Sequence, residues 1–460
     1  MKWIHSSGWL FMCLTGAVYA YGANKLWMAL GLIIGIIINY ITVAPRMRDY
    51  NVRLKADTLP ELLSNRFGKN GKRVRTLAAL FLLVFSEIYL ASALIAGAKI
   101  FSAISDDYSY KRAMLGTAIL ILLYGYVRKY LIKGAAEYAV GVFALFVMIA
   151  VSVIALYDIG IHYYVFKLVD SNLHESASEF LNVFTENGAQ ISLVSVIGQI
   201  SCGLVLFGMP HLLMSFLVPE DETDFLRTRR VMIGWSFLTF VVAGALGLIA
   251  RAYLSPIVMT GPNFEEEGVV IAVIKCMFSE ERSLPVIGMI LTLILAFMVI
   301  SHAVILLFSM SKSAVKDLYG AGHKEHNYYV FVLPLLLFLS GIFVWKLSLS
   351  VTDVTRLAWE GLGVCFGPVV LLSLFWRRMN HVGACAGMIA GCAGMLIWDF
   401  AALVPYHGTR IALWEYTDLP ALPAAFLVAL IAAITASLVT RQEEEQVLKD
   451  FDDVYNGFLE

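Results

Sequence analysis

Charge is scarce in this 460-residue sequence: Asp, Glu, Lys and Arg together make up 15% of it, against roughly 25% in soluble domains. A soluble protein with 59% hydrophobic residues would have to bury them all, and surface-to-volume scaling leaves too little interior for that. Neither sign of charge dominates. The 34 basic and 35 acidic residues leave no basic surface for nucleic acid. Six cysteines, five inside apolar runs and Cys276 beside one, lack the paired spacing of a disulfide framework or a zinc site. Long polar stretches are also rare. The longest are 45–74, 159–190, 254–283 and the tail 441–460, so no soluble domain is expected. There is no nucleophile–base pair, nucleotide loop or metal quartet, and the reading is not an enzyme.

Apolar runs are abundant. LWMALGLIIGIIINYITVA and VGVFALFVMIAVSVIAL each match the roughly 20 residues that span a hydrocarbon layer. The pattern predicts an all-α integral membrane protein with spans at 6–22, 25–44, 75–103, 113–132, 135–158, 191–216, 231–253, 284–318, 328–350, 353–376, 382–404 and 420–440. Lys and Arg are retained on the cytoplasmic side. With the N-terminus inside, 23 of the 34 fall on inner segments or inner span ends, so both termini are expected in the cytoplasm. The run Glu265–Glu267 reads as a solvated outer loop and DSNLHESASEFLNVF as an amphipathic outer helix. EEEQVLKDFDDVYNGFLE reads as a solvated tail, with a partner helix as the alternative, and Thr58-Leu-Pro-Glu61 as a short helix start.

Two spans carry breaks. The first opens with HSSGW, and the sixth contains SCGLVLFGMPH, with Gly203, Gly208 and Pro210 at membrane depth. Backbone can break inside a bilayer only beside protein or a wet cavity. The two are five spans apart, the spacing of corresponding helices in two five-helix repeats of opposite topology, and paired interruptions of this kind point to a transporter's central site. The expected organisation is a first repeat at 1–158, an extracytoplasmic loop at 159–190, a second repeat at 191–376, two further helices at 377–440 and an acidic cytoplasmic tail at 441–460.

The stretch LAWEGLGVCFGPVVLLSLFWRRMNHVGACAGMIAG (357–391) resembles the signature of the sodium/solute symporters, most closely the sodium/proline branch. So do SGWLFMCLTGAV (7–18), TLPELLSNRFG (58–68), IYLASALIAGAKIF (88–101), FGMPHLLMSF (207–216) and KDLYG (316–320). The resemblance implies a LeuT-like ten-helix inverted-repeat core plus two C-terminal helices, in a bacterial inner membrane. It also implies symport of a small organic solute such as an amino acid, coupled to sodium or to protons, with no other cofactor. The family's leading extra span and the inner half of its first core helix are not matched, since Met1 lies just before HSSGW.

The family's two adjacent sodium-linked hydroxyl positions fall on Ser301 and His302, and its sodium-linked Asp on His5, with Ser6 and Ser7 following. Sodium prefers hard oxygen ligands, whereas imidazole carries protons near neutral pH. Substrate contact is implied for Ser7, Gly8, Trp9, Cys202, Gly203, Leu206 and Pro210. At Cys202 and Leu206 the proline branch has aromatic rings, which argues against proline itself. A motif before the fifth span loses its Asp and gains Glu137 a turn later. Ionisable residues at membrane depth are costly and suggest function, so Glu87, Glu137 and Glu360 are candidates for a proton path with the histidines. The alternative is a transport-inactive relative that acts as a solute sensor or assembly partner.

Overall fold

The computed structural model describes residues 10–104, 109–131, 135–169, 176–217, 222–254, 266–278, 285–319, 325–345, 350–406 and 409–459. Helices α1 (Thr15–Tyr21), α2 (Leu26–Ile38), α3 (Ala44–Leu54), α4 (Leu59–Arg66), α5 (Lys72–Ile104), α6 (Tyr110–Leu131) and α7 (Ala135–Ile159) form the first part. A π-helical turn at Leu10–Leu14 leads into α1, and another at Asn39–Val43 joins α2 to α3. Two short helices, α8 (Tyr164–Val169) and α9 (Ala177–Phe180), precede α10 (Leu193–Ile200), α11 (Pro210–Ser215), α12 (Glu222–Tyr253) and α13 (Val269–Met277). Then follow α14 (Pro285–Ser313), α15 (Glu325–Trp345), α16 (Val351–Phe375), α17 (His381–Phe400), α18 (Leu413–Thr417), α19 (Ala421–Val439) and α20 (Glu445–Leu459). Eight stretches of described helix are long and apolar enough to cross a membrane. They coincide with expected spans, because twenty apolar residues in succession fold as a helix and dissolve in lipid.

Helices α5, α14 and α16 form the interior: α5 packs on α14, α15 and α16, and α16 also meets α17 and α19. Their central residues, from Leu90 to Ala98, Leu295 to Leu307 and Ala358 to Val370, are almost entirely buried. By contrast α6, α7 and α19 expose large apolar side chains such as Leu123, Phe146 and Ile431, as helices facing lipid do.

Four readings of the polar segments change. Within DSNLHESASEFLNVF the described part is one turn, Ala177–Phe180, closed by a Ser176–Glu179 capping box, and a two-residue hairpin follows at Thr185–Glu186 and Ala189–Gln190. A second hairpin, Ala402–Tyr406 with Thr409–Ala412, interrupts the all-helical pattern. The acidic run is not simply solvated, for Glu267 is buried at the base of apolar α13. Its carboxylate takes Lys99 Nζ at 2.5 Å and the N–H groups of Val351 and Thr352 at 3.0 and 2.6 Å, closing the start of α16. Burial works to raise the Glu267 carboxyl, but these donors outweigh it and hold the group below the usual glutamate value.

The tail, too, is docked. Val447, Phe451 and Val454 recur at helical spacing and are buried, with Phe451 against Tyr50 and under the Arg66 guanidinium. Arg53 pairs with Asp453 at 2.9 Å and Arg377 with Asp452 at 2.7 Å. Glu443 holds the N–H and ring of His381 and the amide of Asn70. Nearby, Thr58 caps α4 as expected. Its hydroxyl also donates to Asp317, whose buried carboxylate accepts from Arg75 Nε at 2.8 Å and Ser313 Oγ at 2.8 Å.

Candidate functional site

The break in the sixth span is real. Ser192 caps α10, whose helix tightens to a 3-10 stretch over Ser201–Phe207 and opens at Gly208 and the extended Met209. Pro210, lacking an N–H, then starts α11. Backbone meets backbone where this stretch crosses α2. A Cβ on Gly203 would stand 2.2 Å from the Gly31 carbonyl oxygen, and one on Gly35 2.5 Å from that of Gly203. Only glycine allows so close a crossing. The Leu206 carbonyl accepts from Asn39 Nδ2 at 2.7 Å, so a group loosened by the break keeps a partner.

Beyond the break lies a cavity of about 100 Å³. Leu206, Met209 and His211 come to it from the broken span, Tyr40 from the turn after α2, Tyr89 from α5, Ser236 and Thr239 from α12, His302 from α14 and Trp359 from α16. Its rings touch one another. Tyr89 lies 5.3 Å from His302, 6.1 Å from His211 and 6.1 Å from Trp359 between ring centroids, and the two imidazoles are 5.6 Å apart at an interplanar angle of 85°. No Asp, Glu, Lys or Arg is among the described lining residues. Such an arrangement offers phenol and indole donors, hydroxyls and two titratable rings in an apolar frame.

The sequence-derived residues meet this cavity unevenly. Leu206 and His302 line it, and Pro210 supports the turn that presents His211. Ser301 is buried beside His302 but is not a lining residue, Cys202 is half-buried at one side, and Gly203 serves the crossing with α2. His5, Ser6, Ser7, Gly8 and Trp9 lie outside the described residues, as does the side chain of Glu137 near the start of α7.

The other two carboxylates of the expected proton path point elsewhere. Glu87 accepts from Ser340 Oγ on α15. Glu360 is bound by Arg356 at 3.1 Å, which also reaches Asp399 on α17 at 3.0 Å, so it ties α16 to α17 while its neighbour Trp359 faces the cavity. Tyr40, Tyr89, Trp359 and the α12 hydroxyls were missing from the sequence-derived set. The ring faces absent at Cys202 and Leu206 are supplied from these other helices.

The profile of the Sodium:solute symporter family matches residues 4–391. The chain is 31% identical to a sodium/proline symporter of Haemophilus influenzae, over 99% of this chain and 88% of that protein. It is also 31% identical to an osmoregulated proline transporter of Bacillus subtilis, over 95% and 85%. Among solved structures, a Na+-coupled sialic acid symporter in a substrate-bound, outward-open state superposes with a TM-score of 0.66 at 15% identity, over 95% of this chain and 88% of that one. A nucleobase-cation-symport-1 family transporter in a closed conformation does so with a TM-score of 0.54 at 13% identity, over 97% and 93%. At these identities the likeness speaks for fold alone, and that fold is the LeuT-like inverted-repeat core.

Proposed function

The chain belongs to the sodium:solute symporter family, and from that premise we propose that it is a sodium-coupled symporter whose solute binds in the ring-lined cavity beside the broken sixth span. The observation that carries the reading is the break itself. Gly203 to Pro210 are held between neighbouring helices, and His211 is turned into a cavity that also receives His302. A span of lipid-facing structure has no need of such a break.

In this reading the two five-helix repeats are 1–158 and 191–376, joined by the outer loop 159–190. Residues 377–440 supply two further helices, and 441–460 lie on the cytoplasmic face with the N-terminus, in the plasma membrane of a bacterium. The charge bias of the loops and the names of the relatives support this. Sodium takes oxygens at Ser301 and at the start of the first span, where Ser6 follows His5, and the solute meets Ser7, Gly8 and Trp9 on that side. His302 stands where the second hydroxyl of the sodium site is expected, so one oxygen ligand is exchanged for a proton carrier. Glu87, Glu137 and Glu360 are the carboxylates of a proton path in this reading, with Glu360 held by Arg356.

The test is uptake into reconstituted vesicles of a panel of labelled amino acids and short carboxylic acids, under separate sodium and proton gradients. Sodium-driven uptake is expected, with His302→Thr more sodium-dependent and less pH-dependent than the parent. Protein that is stabilised by a panel member yet transports none under either gradient would replace the symporter with a solute-binding relative.

A further inference from the structure

Where α5 begins, the surface of the bundle is unlike the central cavity: it is basic at one end and apolar along the helix. We propose that the groove between the starts of α5 and α17 holds one anionic phospholipid, its phosphate among Lys69, Lys72 and Arg73 and an acyl chain along α5. Such a site depends only on the chain lying in a bilayer, and neither solute nor sodium enters.

The groove is an open cavity of about 660 Å³. Lys69, Lys72 and Arg73 line its basic end together with His381 at the start of α17, and no carboxylate is among its described lining residues. Leu77 and Leu80 continue the lining one and two turns further along α5. The apolar stripe runs on from there, for Leu80 and Val84 are both about half exposed. Arg73, Leu77, Leu80 and Val84 recur at the spacing of one helix face. From Arg73 to Val84 the helix rises about 16 Å, close to the hydrocarbon depth of one leaflet. Thr76 stands between the basic and the apolar parts. Charge first and lipid-facing leucines after it follow the order of a phospholipid, headgroup and then chain.

The cations have no answer within the chain. A helix N-terminus is the positive end of the helix dipole and favours acidic residues in its first turn. The first turn of α5 has none, and it opens with Lys72 and Arg73, both exposed. Their neighbour Arg75 is paired with Asp317 and Glu61. Among the described residues, neither the Lys72 nor the Arg73 side chain has an ion pair or a hydrogen bond. The acids ahead of α20 stop short of them. Glu443 is engaged with His381 and Asn70, and Glu444 reaches only Lys69, at 3.9 Å. The Arg73 charge acts on the Cys385 thiol, one turn into α17, so it stands over the groove between the two helices. Like charges gathered at the positive end of a helix repel one another, and an anion brought from outside relieves all of them at once.

The leucines commit the site to a lipid. A soluble anion would meet exposed cations alone, and salt screens such contacts beyond about 8 Å. A phospholipid is confined to the membrane surface where these side chains lie, and it buries its chain on Leu77 and Leu80 as well.

The experiment follows melting temperature, and lipid retained in native mass spectrometry, for the purified full chain in mild detergent. The probes are dioleoyl phosphatidylglycerol, dioleoyl phosphatidylcholine and sn-glycerol 1-phosphate. Phosphatidylglycerol is expected to be retained and to raise the melting temperature, with phosphatidylcholine at least about tenfold weaker. Glycerol phosphate at the same concentration is expected to do nothing. Lys72→Gln and Arg73→Gln are each expected to weaken phosphatidylglycerol about fivefold, and the two together about 25-fold. Their melting temperatures without lipid should match the parent's, since both side chains are exposed. Lys55→Gln, at an exposed lysine just past α3, should leave the lipid preference unchanged. The lipid comparison on the parent needs no variant.

Equal retention of phosphatidylcholine would overturn the proposal, and so would parental retention of phosphatidylglycerol in the double variant. Protection by glycerol phosphate as strong as by the lipid would make the groove a plain anion site and sink the lipid. A loss in Lys55→Gln as large as in Arg73→Gln would mean diffuse attraction to the whole basic surface, with no site at α5.

Discussion

The end of the bundle where α3, α4 and the tail helix α20 meet and the central cavity use charge in opposite ways. At that end fixed charges are paired and numerous: Asp317 with Arg75, Lys316 with Asp57 and Glu61, Arg53 with Asp453, Arg377 with Asp452. In the cavity the polar groups of the described lining are only rings and hydroxyls, set among aliphatic side chains. A permanent charge at membrane depth must be matched by another at all times, whereas an imidazole or a phenol can be neutral when the site is empty. That end of the bundle is thus held by ions, and the cavity lining is left free to change its charge.

The sharpest way to break this contrast is at Asp317. Its side chain is wholly buried and has three donors, so Asp317→Ala leaves Arg75 and two hydroxyls facing an empty place. A loss of about 3–5 kcal/mol is expected, read as a collapse of the melting transition in detergent. A melting temperature close to the parent's would show that this network is ornamental. Next comes the uncharged centre. Gly203→Val forces a branched side chain into the Gly31 backbone and should cost about 1–3 kcal/mol, with solute binding lost as well. Parental binding in that variant would mean that the crossing does not set the cavity.

Glu267 extends the comparison to the start of α16. Its carboxyl is held low by Lys99 and the start of α16 despite burial, so its contribution is present above the ordinary glutamate value near 4.5. That contribution is lost as the pH falls through the lower folded value. Glu267→Gln should therefore melt below the parent at pH 7, and the gap should close under acid. A gap that widens with acid would contradict the pairing. The smallest effect is expected for Arg53→Ala, since Arg53 and Asp453 are both nearly half exposed. About 0.5 kcal/mol or less should be seen, and less still in high salt. A larger loss would mean that the tail is held by charge more than by its apolar face.

How much of this was legible depended on whether the signal was local. The spans could be read because a run of some twenty apolar residues is hard to place anywhere but in lipid. The break could be read because Gly203, Gly208 and Pro210 fall within one such run. The cavity could not, because six elements widely spaced in sequence build it. Tyr89 and Trp359 look in sequence like any aromatic residue in a membrane helix, and only packing brings them to His211 and His302. The lone carboxylates misled for a related reason: the partner of Glu360 lies one turn away in Arg356, but that of Glu87 is Ser340 on another helix. In the tail the warning was present. Val447, Phe451 and Val454 mark one face of a helix, and the surrounding acids drew the reading toward solvent.

That docked tail has a consequence for biogenesis. Helices α3 and α4 carry Tyr50 and Arg66, which wait for Phe451, added by the ribosome about 400 residues later. Until then that end of the bundle carries an open apolar seat. Insertion of the helices into the bilayer proceeds from the N-terminus, but closure of this end waits for α20. A chain cut short before α20 would have its spans in place and leave Tyr50 and Arg66 without the Phe451 ring.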